Sequence, residues 1–206
     1  MAGAVDPIGQ MPHRLFAFDA AGMASLRALA LLASHPEERT RALADADTPA
    51  VAALRPFLRS CVLESIRLWP TTPTILRDTT EDTEWRDGLE HFTVVAGAGL
   101  MIVVPAFHRD DDLLPFAHRF TPDIWVDGRA QQYPQLVPFS AGPGECPGKN
   151  LLQFVTSTLL ANLLSALDLR LTSTPRLEPD KPLPMTFNQL ALDFTVTPLH
   201  SAIPSS

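Results

Sequence analysis

Lysine is nearly missing from this 206-residue chain: Lys149 and Lys181 are the two copies, against fourteen arginines. No run of basic residues forms, and 16 basic against 23 acidic side chains leave a net charge of −7. Binding a phosphate backbone needs clustered Lys and Arg, so no nucleic-acid partner is expected. Cysteine is equally scarce. Cys61 lies in a helical stretch and Cys146 in a Gly/Pro loop, 85 positions apart, which makes a poor disulfide framework and points to a reducing cytoplasm. His13, His91, His108 and His118 lack paired metal-ligand spacing such as H-E-x-x-H, which leaves them surface or local structural residues. The most apolar stretch lies in the first 35 residues, but Arg14, Asp19 and Arg27 interrupt it. No basic leader segment or small-residue cleavage site opens the chain, so neither a signal peptide nor a membrane span is expected.

What is present is ordinary globular material, 46% hydrophobic and 19% charged, enough for one good core or two small ones. The abundance of Ala, Leu and Pro matches usage in GC-rich bacterial genomes and says nothing about chemistry. Residues 12–34, PHRLFAFDAAGMASLRALALLAS, carry proline only at their start and are apolar on nearly every face. They predict a central buried helix about 34 Å long. His35-Pro36 ends it, and Glu37 to Ala44 can form a short helix after it. Pro56 suits the first position of another helix, reaching Leu68 before Trp69-Pro70 stops it. Thr74 to Thr79, His91 to Val95 and residues 100–104 read as strands. The turn at Ala96-Gly97-Ala98-Gly99 places a small hairpin between the last two. Residues 107–138 read as an irregular meander. Helix resumes from about Lys149 to Leu167, with strands near Leu169 to Leu171 and Leu192 to Val196. The fold class is mainly α with small β-sheets.

Cys146 sits in the loop Gly142-Pro143-Gly144-Glu145-Cys146-Pro147-Gly148, directly before a helix. Glycines let backbone N–H groups approach a sulfur, and a helix N-terminus places partial positive charge beside it, so a thiolate able to ligate a metal is favoured. Phe139, Gly142, Cys146 and Gly148 together resemble the haem-binding loop F-x-x-G-x-x-x-C-x-G of the cytochrome P-450 family. The resemblance implies the C-terminal half of that fold. It implies haem (heme b, iron protoporphyrin IX) as cofactor, with Cys146 as the proximal ligand whose thiolate pushes electron density onto the iron. Glu64 and Arg67, three apart on one helical face, resemble the family's E-x-x-R pair, a structural element tying that helix to the meander.

The same resemblance makes Arg77 a partner for a haem propionate. It aligns Phe16 to Ala21 with the oxygen-binding segment, so that Asp19 keeps the acid used in proton delivery while Ala20 replaces the usual threonine. Phe120, Pro122 and Asp123 match part of the meander. Ile124 stands where many members carry an arginine completing a triad with Glu64 and Arg67, which leaves Arg119 as the candidate donor. Gly144 stands where a basic residue often contacts a propionate.

Those features imply a haem-thiolate monooxygenase that inserts oxygen into a small organic substrate, using electrons from a ferredoxin and ferredoxin reductase, with Lys149 near the docking face. Ala20 implies that an ordered water or a substrate hydroxyl carries protons, or that the chemistry uses peroxide or another oxidative step. Residues 1–206 are read as one partial domain lacking its N-terminal half, with Met1 a truncated or misassigned start. The uncovered side of the first helix then suggests the alternative of a haem-free remnant or interaction module.

Overall fold

The computed structural model describes residues 8–47, 55–174 and 176–199. Met1 and the residues read for a leader segment lie outside these. Helix α1 runs Gln10–Ser34, α2 Pro36–Ala46 and α3 Pro56–Leu68. Strands β1 (Thr74–Asp78), β2 (Thr83–Asp87), β3 (Glu90–Val94) and β4 (Gly99–Val103) follow, then the short helix α4 (Val104–His108). The meander holds 3₁₀ turns at Pro122–Trp125 and Arg129–Gln132. Helix α5 (Lys149–Ala166) leads directly into β5 (Leu167–Leu171), and β6 (Phe194–Pro198) closes the described chain.

The helix boundaries follow the signals in the sequence. Arg55 enters α3 in the left-handed conformation (φ 36°), Pro56 opens the helix, and the free N–H of Leu58 is met by Asp45 Oδ2 of α2 at 2.9 Å. At the other end Trp69 leaves helical geometry before Pro70. Its indole N–H then donates to Pro184 O at 2.9 Å, and its ring stacks on Phe187.

Helices α1, α3 and α5 meet in one core containing Ala24, Ala28, Leu31, Leu58, Val62, Leu160 and Leu164. Alanines on α1 allow close approach, and Ser65 of α3 donates to Ala24 O at 3.1 Å across the contact. Arg27, which breaks the apolar pattern of α1, is buried but partnered. Its guanidinium donates to Trp69 O at 2.5 Å and Gln189 Oε1 at 2.9 Å, and burial lowers its pKa.

Only part of α1 is a buried central helix. Ala24 and Ala28 to Leu32 are buried, whereas Leu15, Phe16 and Phe18 are 73%, 60% and 77% exposed. The described residues pack over the C-terminal end of the helix and leave apolar residues of its other end uncovered. Leu15–Ser34 is long and apolar enough to cross a membrane by composition, and half of it is packed inside the protein. On α5, Leu151, Phe154, Val155 and Leu159 form a second exposed stripe opposite the buried Thr156, Leu160 and Leu164.

The sheets correct one expectation. β3 does not form a hairpin with β4. Instead β4 pairs antiparallel with β1, in the register Arg77 to Leu100, and β3 pairs with β2 through the turn at Gly88-Leu89. Asp87-Gly88 is the better hairpin signal, because Gly88 takes φ +55° at no steric cost. The expectation missed β2 because all five of its residues are exposed, so no alternation of burial marks it. Cross-strand pairing of Trp85 with Phe92 and the Thr93 hydroxyl to Glu84 at 2.6 Å hold it instead.

Candidate functional site

Cys146 is free and half-buried, at the end of a loop fixed by short backbone bonds. Its N–H donates to Phe139 O at 2.9 Å, and its carbonyl accepts from Lys149 N–H, which joins it to the opening turn of α5. Phe139 anchors the loop by packing against the main core. Gly142 takes φ +65°, a conformation costly for any residue with a Cβ. Gly148 lies beside the sulfur, since a Cβ there would stand in van der Waals contact with Sγ at 3.7 Å. Phe139 and Gly148 are thus placed against Cys146, and Gly142 sets the turn between Phe139 and the cysteine.

The pair Glu64 and Arg67 on α3 has both side chains 0% exposed. Arg67 Nε and Nη2 reach the two carboxylate oxygens at 2.8 and 2.7 Å. The remaining guanidinium protons go to the meander carbonyls of His108, Ala117 and Arg119, at 2.8–2.9 Å. Glu64 receives two further donors: Thr121 N–H to Oε1 and the Trp125 indole to Oε2, each at 2.9 Å. The network is therefore complete, as burial of two charges requires.

Arg119 is not the third donor to Glu64. It contributes its carbonyl to Arg67, while Ile124 packs in a small apolar cluster with Leu114, Phe116 and Leu136. Trp125 was missed; the one signal for it is that a tryptophan in a polar meander needs a partner for its indole N–H, and Glu64 is that partner. Trp125→Phe is expected to cost about 1–3 kcal/mol by leaving one lone pair of a buried carboxylate unmet. Urea unfolding checks it, and a loss within measurement error would remove the indole from the network.

His108 is buried and structural. Its Nε2 accepts the N–H of Val137 at 2.9 Å, two residues before Phe139, so α4 fastens the strand of chain that enters the cysteine loop. Arg109 beside it donates to the Leu183 and Pro184 carbonyls, pinning the C-terminal loop. Burial and the neighbouring Arg67 charge hold its pKa down at about 10.

Arg77 is exposed on β1 and reaches across to the cysteine loop, donating from Nη2 to Ser140 Oγ at 2.7 Å. Asp19 is solvent-exposed and Ala20 is buried in α1, and no hydrogen bond links either side chain to the cysteine loop among the described residues. Lys149 is paired with Glu145 at 2.6 Å, so its charge is offset locally.

The domain is mainly helical, with a buried ion pair and a meander packed about one core and a single free, half-buried cysteine at the mouth of a helix. The chain belongs to the cytochrome P450 family: the Cytochrome P450 family description matches residues 23–195. It is 32% identical to cyclooctat-9-en-7-ol 5-monooxygenase of Streptomyces melanosporofaciens over 150 residues, covering 68% of this chain and 32% of that protein. It is 31% identical to probable cytochrome P450 4s3 of Drosophila melanogaster over 140 residues, covering 66% and 28%. A crystal structure of a cytochrome P450 (CYP102L1) superposes with a TM-score of 0.69 at 20% identity, over 88% of this chain and 43% of that one. The chain therefore has part of the P450 fold, spanning 28% and 32% of the length of these two relatives and 43% of that solved chain.

Family membership implies a haem cofactor, and the residues present fit one. Cys146 has the accessibility, Gly142 and Gly148 add no side chain beside it, and Arg77 offers a cation to a carboxylate at the loop's edge.

Proposed function

We propose that this chain is the haem-carrying part of a monooxygenase that inserts oxygen into a small organic substrate. The observation that carries the reading is the free, half-buried Cys146 on a loop braced from Phe139, His108 and the Glu64–Arg67 pair. Cys146 would be the axial ligand of haem b and Arg77 would pair with a propionate, while Phe139, Gly142 and Gly148 shape the seat. Bound there, the haem supplies dioxygen activation.

Asp19, solvent-exposed on α1, would hold a proton for delivery. Ala20 supplies no hydroxyl, so a water or a substrate hydroxyl must complete that path. Electrons would come from a ferredoxin and its reductase in the cytoplasm. Lys149 is paired with Glu145, which offsets its charge, and it would meet an acidic partner with the donors that pair leaves.

A second reading, a haem-free interaction module, is favoured by the exposed apolar residues on α1 and α5. The reduced, carbon-monoxide-bound spectrum separates the two. The chain supplied with haem should give a Soret band near ~450 nm that Cys146→Ser lacks. No haem uptake by the parent chain would leave the second reading.

A further inference from the structure

Two departures of the cysteine loop fit one side chain. Ser140 holds φ +62°, and Arg55 is the only other non-glycine residue with positive φ among the described residues. A Cβ makes that conformation unfavourable, so a side chain there must earn its place. Its Oγ accepts Arg77 Nη2 at 2.7 Å. Four residues on, a Cβ added to Gly144 would stand 2.6 Å from Nη2 and 3.1 Å from Cζ of the same guanidinium. The loop thus touches Arg77 twice, once with a hydroxyl and once by the lack of a side chain.

Nη1 donates to Leu76 O at 2.8 Å, and Arg77 makes no ion pair among the described residues. A guanidinium carries five N–H groups, so donors remain for a planar anion. We infer that Ser140 and Gly144 are positioning residues that aim Arg77 at a carboxylate of the group seated on Cys146. One arginine from β1 then occupies the space above Gly144 and serves as the anion anchor of the loop. This rests on the haem reading above and adds how the anchor is set.

The test uses the whole chain loaded with haem and follows transfer of haem to an excess of a scavenging apoglobin. Thermal unfolding of the haem-free chain is followed in parallel. Ser140→Gly should keep or raise the unfolding midpoint, because glycine accepts φ +62° freely, yet release haem about tenfold faster, the equivalent of one charge-assisted hydrogen bond. Gly144→Ala should also leave the midpoint unchanged, since the atom it meets is the free end of an arginine, and speed release similarly. In an Arg77→Leu background neither change should add to the loss.

A merely structural Ser140 gives the opposite pattern, with Ser140→Gly holding haem as well as the parent or better. That result, or effects that persist without Arg77, overturns the inference while leaving the haem reading intact. Failure of the parent chain to take up haem overturns both.

Discussion

Glu64→Ala is expected to cost about 3–5 kcal/mol, because it strips a fully buried guanidinium of its counter-charge while leaving the charge in place. Against a typical stability of about 5–15 kcal/mol, that removes from a fifth to nearly all of the margin, and at the low end leaves about half of the chain unfolded at 25 °C. The loss has three parts: Arg67 loses a bidentate partner, Thr121 N–H loses its acceptor, and the Trp125 indole loses its own. The last two fix the 3₁₀ turn Pro122–Trp125 against α3, so the meander should loosen with the helix. Urea unfolding of the two chains gives the difference, and a loss under about 1 kcal/mol would mean the pair is not buried as described.

The usual rescue for a buried ion pair, replacing both partners by apolar residues of similar volume, should fail here. Arg67 also supplies the donors for the His108, Ala117 and Arg119 carbonyls, and an apolar substitute leaves all three unmet. Arg67→Lys should fail as well, since an ammonium offers three donors without the planar fork. The Glu64–Arg67 pair is thus better described as the junction of α3, α4 and the meander than as a salt bridge.

Much of this arrangement was legible in the sequence, for reasons that differ from element to element. Helix α3 was readable to both ends because Pro56 and Trp69-Pro70 are local signals acting through backbone sterics, which tertiary structure does not override. The cysteine loop was readable because glycines at fixed spacing record backbone conformations. What failed was whatever depended on distant partners. The hairpin was assigned to the Ala96–Gly99 turn although the strand pairing of β4 is with β1, which precedes β2 and β3 in the chain. Arg119 was a reasonable candidate for Glu64 by charge alone. The actual donors are a backbone N–H and an indole, groups whose role is set by where the 3₁₀ turn places them. An uncovered side of α1 was expected from the family resemblance, but the apolar pattern alone did not show which end it would be, because such a pattern records what a helix can bury and not what is there to bury it. Serine at position 140 gave no signal at all, since its positive φ is visible only in the folded backbone.

Acid should weaken this fold over a window that His108 defines. Burial, and then the neighbouring Arg67 charge, push its imidazole from 6.5 down to about 4. The neutral ring fits the geometry: Nε2 accepts from Val137 N–H, so the single ring proton sits on Nδ1. A folded-state pKa below the unfolded value means the unfolded chain binds the extra proton between about pH 4 and 6.5. Stability is then fully present above about 6.5 and is lost as pH falls toward 4, by about 3 kcal/mol for a depression of this size. His35 is also buried with a lowered pKa and acts in the same direction, so the His108 share must be isolated by difference. His108→Gln keeps an acceptor for Val137 and does not titrate. The variant should be less stable than the parent at pH 7, and unfolding measured from pH 7 to 4 should show that gap narrowing by about 3 kcal/mol. Parallel curves would show that His108 does not carry the acid response. Because Val137 leads straight into Phe139, protonation of His108 should also release the cysteine loop before the core opens. Acid would then strip any group held by Cys146 at a higher pH than it unfolds α1, α3 and α5.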